Sequence, residues 1–229
     1  MVFLEQNIRG LCAKFGLDFE SFLSDFQVDS VTEIPLVELE AITEEYEIDL
    51  HALLFKPMYK SEHVTEKINK IKLLILDVDG VMTDGGMIFS ENGDQQKKFN
   101  TKDGMGIIET LKFGVIEIGI ISSGFTGGLV NKRAEMLGIK RCYVGRDSKL
   151  AVLESWIEEM AITLDQVAII GDDVNDLGIM RKVGFSACPA DAVEIVKKQV
   201  DVILSLKGGQ GCIREFMDNY LLPVPLGTI

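Results

Sequence analysis

The segment Leu73–Asp84 reads LLILDVDGVMTD, and its first four residues form a short, continuous apolar run. A run of this kind before a polar turn is typical of a strand buried on both faces of a parallel sheet. Two carboxylates, Asp77 and Asp79, follow it two positions apart and point toward a common space. Their repulsion is costly unless a cation offsets it, and Mg²⁺ prefers oxygen ligands. The alternative interpretation of Asp77–Gly80 is an acidic turn exposed to solvent.

Short apolar runs alternate with helical patterns from Ile71 onward. This alternation predicts an α/β fold, a Rossmann-like parallel sheet with helices on both faces. The predicted strands are Ile71–Leu76, Val115–Ile121, Val167–Ile170, Phe185–Ala187 and Val200–Leu204. The predicted helices are Gly104–Phe113, Gly127–Leu137, Ser148–Met160, Asn175–Val183 and Ala192–Lys198. The segment Gly86–Phe99 interrupts this order and predicts a β-hairpin insertion, with Asn92-Gly93 in the turn.

Polar side chains follow the other predicted strands, at the edge of the sheet where ligands bind in such folds. Ser122-Ser123-Gly124 offers hydroxyls to an anion, although serines in loops are more often plain turn residues. The segment Gly171–Asp176 (GDDVND) holds three acids, of which helix capping explains one or two. Lys149 begins a helix, where its charge opposes the helix dipole, and is either a functional cation or an ordinary surface lysine.

Along the chain, successive strand ends are thus followed by a pair of acids, a hydroxyl, a lysine and a second group of acids, in that order. The pattern resembles the haloacid dehalogenase-like phosphohydrolases, whose four motifs are DxD, Ser/Thr, Lys and GDxxxD. The matching residues are Asp77 and Asp79, Ser122, Lys149, and Asp172 with Asp176. Residues 70–220 are similar to the capless branch that contains 3-deoxy-D-manno-octulosonate 8-phosphate phosphatases and nine-carbon sialic-type sugar phosphatases. The supporting segments are LLILDVDGVMTDG, the hairpin, KKFNTKDGMGI, GDDVNDLGIM and GGQGCIREF.

The resemblance implies a Mg²⁺-dependent sugar-phosphate monoesterase acting through an aspartyl-phosphate. Asp77 would attack phosphorus, and Asp79 would protonate the leaving sugar alkoxide and then activate water. Mg²⁺ would be held by Asp77, the main-chain carbonyl of Asp79 and Asp172, with Asp173 in the layer around these ligands. A phosphatase for another small phosphate ester, and a regulatory or binding protein built on the same scaffold, are the alternatives.

The resemblance also implies which groups contact the substrate. Ser122 and Lys149 would bind the phosphoryl oxygens, and Asp176 would orient Lys149 or a metal-bound water. The candidate contacts to the rest of the substrate are Gly80, Lys102, Ser123, Gly124 and Arg214.

Two of these positions depart from the pattern of the octulosonate phosphatases. Those enzymes typically have Thr-Gly-Arg where this chain has Ser122-Ser123-Gly124, so we expect Gly124 to lack a substrate-contacting side chain. They typically have Arg-Asp-Gly-Tyr-Gly where this chain has Lys102–Gly106. Lys102 keeps the positive charge but cannot form the two parallel hydrogen bonds of an arginine guanidinium. The sequence therefore predicts the reaction more firmly than the sugar.

The resemblance further implies a homotetramer. In this branch the hairpin packs between subunits, and the C-terminal tail closes the active site of a neighbouring subunit. Arg214, near the C-terminus, is a candidate substrate contact for that reason, with an ordinary helix-surface arginine as the alternative.

The first 57 residues have a different pattern, with apolar residues at helical spacing in Asn7–Phe15, Asp18–Phe26, Leu36–Tyr46 and Leu50–Phe55. They resemble a degenerate helix-turn-helix of the phage-repressor type. The stretch where a recognition helix would lie, Asp29–Leu36, contains Pro35 and no Lys or Arg. We therefore predict a small helical domain (1–57) used for packing or protein contacts, a linker (58–70) and a phosphatase domain (71–229).

Composition limits the function classes. The 229-residue chain has a net charge of −13, which disfavours nucleic-acid binding because phosphate backbones require a basic face. No apolar run approaches the roughly 20 residues that span a bilayer. The four cysteines form no CxxC pair, which favours reduced thiols and a cytoplasmic protein without a membrane anchor.

Overall fold

The computed structural model describes residues 3–56, 58–59, 62–114, 116–124 and 127–222. The chain divides into two compact units, Met1–Thr65 and Glu66–Ile229. None of the helices in the described residues is both long and apolar enough to cross a membrane.

The N-terminal unit consists of short helices: α1 (Leu4–Phe15), α2 (Phe19–Asp25), α3 (Leu36–Glu45) and α4 (Leu50–Phe55). The predicted segments thus agree with the structure to within a few residues at each end. Aspartates cap two of the helices: Asp18 accepts a hydrogen bond from the Ser21 amide, and Asp49 accepts one from the Ala52 amide. A further helix, α5 (Glu62–Ile68), lies in the stretch expected to be a linker.

Three helix ends in this unit share one geometry. The residue after the last helical turn adopts a positive φ, 70° at Gly16, 56° at Gln27 and 52° at Glu47. In each case the next residue donates its amide to a carbonyl five positions earlier, as Leu17 does to Cys12 and Ile48 to Thr43. This Schellman arrangement favours glycine, yet two of the three positions hold larger residues.

One buried amide ties the ends of the N-terminal unit together. The side chain of Asn7 is fully buried, and its Nδ2 donates to the carbonyls of Leu53 (2.8 Å) and Lys56 (2.7 Å). Its Oδ1 accepts a hydrogen bond from the Met58 amide at 2.8 Å. Asn7 therefore caps the C-terminal end of α4, satisfying carbonyls that the helix itself leaves open.

The stretch between α2 and α3 forms a single 3₁₀ turn, Val31–Glu33. Ser30 caps it by accepting a hydrogen bond from the Thr32 amide. A DNA-reading helix needs several turns and basic side chains, and neither is present at this place in the N-terminal unit.

The second unit is built on a parallel sheet. Its strands are β1 (Leu73–Leu76), β4 (Glu117–Ser122), β5 (Arg141–Val144), β6 (Val167–Ile170), β7 (Phe185–Cys188) and β8 (Val202–Ile203). The order across the sheet is β5-β4-β1-β6-β7-β8, all neighbours parallel, which is the doubly wound Rossmann-like order. Strand β1 is therefore central, with β4 on one side and β6 on the other.

Helices cover the sheet: α6 (Thr101–Phe113), α7 (Gly127–Leu137), α8 (Lys149–Met160), α9 (Leu177–Met180), α10 (Glu194–Lys197) and α11 (Cys212–Phe216). The fold class predicted from the sequence is confirmed. An apolar cluster packs α8 and α9 against one face of the sheet, with Ile75, Ile121 and Leu153 among its buried members.

Two details differ clearly from the prediction. Strand β5 is absent from the predicted set because it is an edge strand whose side chains are only half buried, so it has no continuous apolar run. The expected helix Asn175–Val183 is shorter, a 3₁₀ turn Val174–Asp176 followed by α9, because Asp173 and Asp176 form a capping box there. Val115, the expected start of β4, lies outside the described residues.

The predicted hairpin is present. Its strands, β2 (Ile88–Phe89) and β3 (Gln95–Gln96), pair antiparallel. Gly93 lies in the turn with φ of 85° and donates its amide to the Ser90 carbonyl at 2.9 Å. The three residues Met87, Ile88 and Phe89 are all more than half exposed.

Candidate active site

The candidate residues meet at the carboxyl ends of the three central strands. Because β4, β1 and β6 are neighbours, the residues that follow them line one cavity of about 450 Å³. From the predicted set, the cavity is lined by Asp77, Asp79, Ser122, Ser123, Gly124, Asp172 and Asp173. This is the place where doubly wound folds bind their ligands.

Lys149 lies at the first turn of α8 and is directed into the acidic cluster. Its Nζ is 2.8 Å from Asp77 Oδ1 and 2.6 Å from Asp176 Oδ1. Burial disfavours the charged ammonium, but the two carboxylates outweigh this, so the pKa of Lys149 is raised. The two carboxylates therefore stabilise the charged form of Lys149 at the N-terminal end of α8, where the helix dipole alone would disfavour a cation.

Asp176 organises the turn after β6. It is fully buried, and its Oδ2 accepts hydrogen bonds from the amides of Asp172 (3.1 Å) and Asp173 (3.4 Å). A Cβ on Gly171 would lie 2.5 Å from the Asp176 carboxyl carbon, so only glycine fits there. With its other oxygen on Lys149, Asp176 has little capacity left for a ligand.

Asp77 and Asp172 are compensated less fully, because Asp77 shares the Lys149 ammonium with Asp176 and Asp172 forms no ion pair with a described residue. Oxygens of Asp77, Asp172 and Asp176 lie within 4.8 Å of one another. The pKa of Asp77 is raised to about 6, first by burial and then by the charge of Asp176. The pKa of Asp172 is raised to about 7, first by burial and then by the charge of Asp77. The buried Oδ1 of Asp172 has no hydrogen-bond partner among the described residues. Oxygen ligands that repel one another, one of them unpartnered, fit a divalent cation.

Gly80 contributes through its backbone. Its φ is +88°, and a Cβ there would lie 2.0 Å from Asp172 Oδ2. A Cβ on Gly208 would in turn lie 1.8 Å from the Gly80 carbonyl oxygen. The two glycines therefore let three chain segments approach closely, and Gly80, which was expected to contact substrate, is placed against Asp172 rather than on the cavity wall.

Ser122, the last residue of β4, and Ser123, the next residue, are placed differently. Ser122 is buried, and its Oγ accepts a hydrogen bond from the Gly124 amide at 3.3 Å. Ser123 is exposed and lines the cavity wall. Beside them, Gly124 has space for a side chain, because a Cβ there would make only ordinary contacts at 3.4 Å.

The two basic residues expected to contact substrate do not line the cavity of their own chain. Lys102 is exposed near the start of α6. The guanidinium of Arg214 is paired with Asp218, with Nε at 2.7 Å from a carboxylate oxygen. The amide of Arg214 also binds the buried carboxylate of Asp103 at 2.8 Å, which fixes the start of α11.

Some cavity residues were missed by the sequence analysis. Lys97, just after β3, forms an ion pair with the Asp79 carboxylate, and Met87 and Phe89 of the same hairpin line the cavity. Asn175 lines it from the turn after β6. The alternation of the hairpin strand, with Gln95 and Lys97 on one face, was the pattern that could have identified Lys97.

Comparison with known proteins agrees with this arrangement. A sequence profile of the haloacid dehalogenase-like hydrolases matches residues 143–214. The 3-deoxy-D-manno-octulosonate 8-phosphate phosphatases of Salmonella typhi and Escherichia coli K12 are each 41% identical over 162 residues, 71% of this chain and 85% of the relative.

Solved structures give the same result. The Yersinia pestis octulosonate phosphatase superposes with a TM-score of 0.67 at 36% identity, covering 71% of this chain and 86% of that one. The Moraxella catarrhalis enzyme, solved with a magnesium ion, a phosphate ion and the octulosonate, gives 0.65 at 34% identity, covering 69% and 90%.

Proposed function

The chain belongs to the haloacid dehalogenase-like hydrolases as a phosphoric monoester hydrolase, and from that premise we propose that it removes the phosphate from 3-deoxy-D-manno-octulosonate 8-phosphate. A related nine-carbon keto-acid sugar phosphate is the alternative substrate within the same class. The relatives that carry the octulosonate name support the sugar class. The observation that carries the chemistry is the buried Asp77, paired with Lys149 at the end of the central strand.

In the proposed reaction Asp77 is the nucleophile. Its carboxylate oxygen attacks phosphorus, and the bond from phosphorus to the sugar oxygen breaks. Asp79, two residues on, gives a proton to the departing alkoxide and later takes one from the water that hydrolyses the aspartyl-phosphate. Lys149 holds Asp77 in place and offers its remaining hydrogen-bonding capacity to the phosphoryl oxygens.

We propose Mg²⁺ as the cofactor of this site. Asp77, the main-chain carbonyl of Asp79 and Asp172 would hold it, and Asp173 would lie in the surrounding layer. When bound, the cation offsets the negative charge that otherwise separates the nucleophile from the phosphate. The unpartnered oxygen of Asp172 supports this assignment.

We propose Ser122 as the hydroxyl that donates to a phosphoryl oxygen. Its Oγ accepts a hydrogen bond from the Gly124 amide, which leaves its O–H free to donate, and Ser122 lines the cavity. Ser122→Ala should lower kcat/KM about 100-fold to 1000-fold, in the range for one lost transition-state donor. Ser123→Ala, on the same cavity wall, is the matched control, and a larger loss there would assign the donor role to Ser123.

The experiment that tests the function is phosphate release from a panel of sugar and small-molecule phosphates with Mg²⁺. Turnover of the octulosonate 8-phosphate well above the other esters supports the proposal. Preference for another phosphate ester would keep the mechanism and change the substrate. No turnover of any ester, with or without Mg²⁺, would instead favour a regulatory or binding protein on this scaffold.

We also propose a homotetramer in which the hairpin packs between subunits. Three adjacent apolar residues, Met87, Ile88 and Phe89, are 62%, 55% and 57% exposed, an arrangement that favours burial against another chain. The C-terminal tail expected to close a neighbouring site includes residues 223–229, which lie outside the described residues. Light scattering of the wild type and of Ile88→Lys tests this: a smaller assembly in the variant is expected.

For the N-terminal unit we propose a separate domain, residues 1–57, that makes protein contacts. Positions 1–60 hold 12 acidic and 4 basic residues, a net charge of −8, which disfavours a DNA-binding role. Removing residues 1–60 should leave phosphatase activity within about twofold while changing assembly or solubility. A large loss of activity in a well-folded truncated protein would contradict the separation.

A further inference from the structure

The hairpin contributes a buried lysine to the catalytic cavity. Strand alternation places Gln95 and Lys97 on the side that lines the cavity, and Lys98 on the opposite side. The side chain of Lys97 is only 5% exposed, whereas that of Lys98 is 76% exposed. Lysine is rarely buried to this extent without a charged partner, so the burial of Lys97 indicates a specific ion pair.

That contact is with the proposed acid and base of the reaction. The Nζ of Lys97 is hydrogen-bonded to Oδ1 of Asp79. Asp79 lies on a turn that departs from helical geometry, with ψ of 117° at Asp79 and φ of 88° at Gly80. Its side chain is 40% exposed, so the turn leaves the carboxylate partly open to the cavity.

Lys97 and Lys149 pair with different carboxylates. Lys149 binds Asp77 and Asp176, on the nucleophile side of the cluster. Lys97 reaches Asp79 from the hairpin and is not shared with that pair in any ion pair between described residues. Asp77 and Asp79 therefore contact different ammonium groups, which are supplied by different elements of the fold.

We propose that Lys97 is a positioning residue that orients Asp79 for proton transfer, an inference that rests on the proposed function. A carboxylate has two oxygens, and Lys97 occupies Oδ1, which leaves Oδ2 for the substrate. The proton on Oδ2 moves to the leaving alkoxide oxygen as the phosphorus–oxygen bond breaks, and that oxygen keeps the bonding electron pair. Asp79 regains a proton from the water that attacks the aspartyl-phosphate.

The test uses leaving groups that need the acid to different degrees. A sugar or other alkyl phosphate needs its alkoxide protonated, whereas p-nitrophenyl phosphate releases a stable phenolate. We compare kcat/KM, which covers the steps up to formation of the aspartyl-phosphate, for p-nitrophenyl phosphate and for the alkyl phosphate that the substrate panel finds best. The variants are Lys97→Met, Lys97→Arg, Asp79→Asn and Lys97→Met combined with Asp79→Asn, with Lys98→Met as the matched control.

Lys97→Met should lower kcat/KM about tenfold or more for the alkyl phosphate and less than about threefold for the aryl phosphate. Asp79→Asn should show the same pattern more strongly, and adding Lys97→Met to it should cost less than about twofold, because both act through one carboxylate. Lys97→Arg should recover part of the loss, and Lys98→Met should change neither ester by more than about twofold.

Equal losses on both esters, or full additivity with Asp79→Asn, would overturn the positioning role and make Lys97 a structural residue. No loss on either ester would overturn it as well. A wild-type protein that hydrolyses neither ester would refute the proposed function, and this inference would fall with it. A wild type that is active while Lys97→Met lacks the leaving-group pattern refutes the inference alone.

Discussion

The two units of this chain bury polar groups in opposite ways. In the N-terminal unit, the amide of Asn7 is fully buried with its donors and its acceptor all engaged. In the second unit, Asp77, Asp172 and Asp176 crowd together around the ammonium of Lys149, and one oxygen of Asp172 has no hydrogen-bond partner among the described residues.

The difference separates a stabilising polar group from a functional one. A buried group whose hydrogen bonds are all satisfied stabilises its surroundings and has no capacity left for a ligand. Buried like charges cost free energy in the resting protein and are expected where a ligand or cation completes them. Substitutions in each unit, and a change of pH or metal, test that distinction.

Asp77→Asn should lower phosphatase turnover by roughly 10³-fold or more, because the amide cannot act as the nucleophile. The fold should be retained, since asparagine has nearly the same shape and removes one of the repelling charges. Steady-state phosphate release measures the first effect, and circular dichroism the second. Activity near that of the wild type would refute Asp77 as the nucleophile.

Asn7→Ala should destabilise the N-terminal unit by about 2–3 kcal/mol, because it leaves buried carbonyls of α4 without donors. Phosphatase activity should stay within about twofold. The single tryptophan, Trp156, lies in the second unit, so its fluorescence reports that unit while far-ultraviolet circular dichroism reports both. An equal shift in both denaturation curves would show that the two units unfold together.

The metal-free protein should lose stability as pH rises from about 4 through 7. The pKa values of Asp77 (about 6) and Asp172 (about 7) lie above their unfolded values, so the folded state binds protons more tightly. Their stabilising contribution is therefore present at low pH and lost as these groups ionise.

Thermal melts in EDTA should show the effect as a Tm lower by roughly 5 °C at pH 7.5 than at pH 5. Mg²⁺ should reduce the difference, because a bound cation replaces the protons. Identical pH profiles with and without Mg²⁺ would contradict a metal site at these carboxylates.

The smallest effect belongs to the helix ends of the N-terminal unit. Glu47→Gly should stabilise that unit by about 0.5–1 kcal/mol, because a non-glycine residue at φ of 52° is strained. Gly16→Ala, at the equivalent position with φ of 70°, should destabilise it by about 1 kcal/mol. Chemical denaturation followed by circular dichroism compares the two, and shifts of the same sign would contradict the shared geometry.

Local patterns in the sequence determined much of this protein. Apolar runs predicted five strands of the parallel sheet close to where they lie, and helical spacing predicted α1 to α4. The residues that follow β1, β4 and β6 were predicted to meet, because parallel strands end at one edge of a sheet. These properties depend on near neighbours in the chain, which a single sequence displays.

The tertiary structure decided which partners those residues have. Lys97 meets Asp79 from 18 positions away, and Lys149 meets Asp176 from 27. Gly208 allows the close approach to Gly80, and the register of β4 buries Ser122 while exposing Ser123. Residue type and periodicity indicate whether a side chain is polar or buried. Contacts between residues far apart in the sequence depend on strand order, register and the path of the loops. Those arise only when the whole sheet is assembled. The contact of Asp176 with Lys149 was expected from the family resemblance, whereas the contact of Lys97 with Asp79 could not be predicted from the sequence.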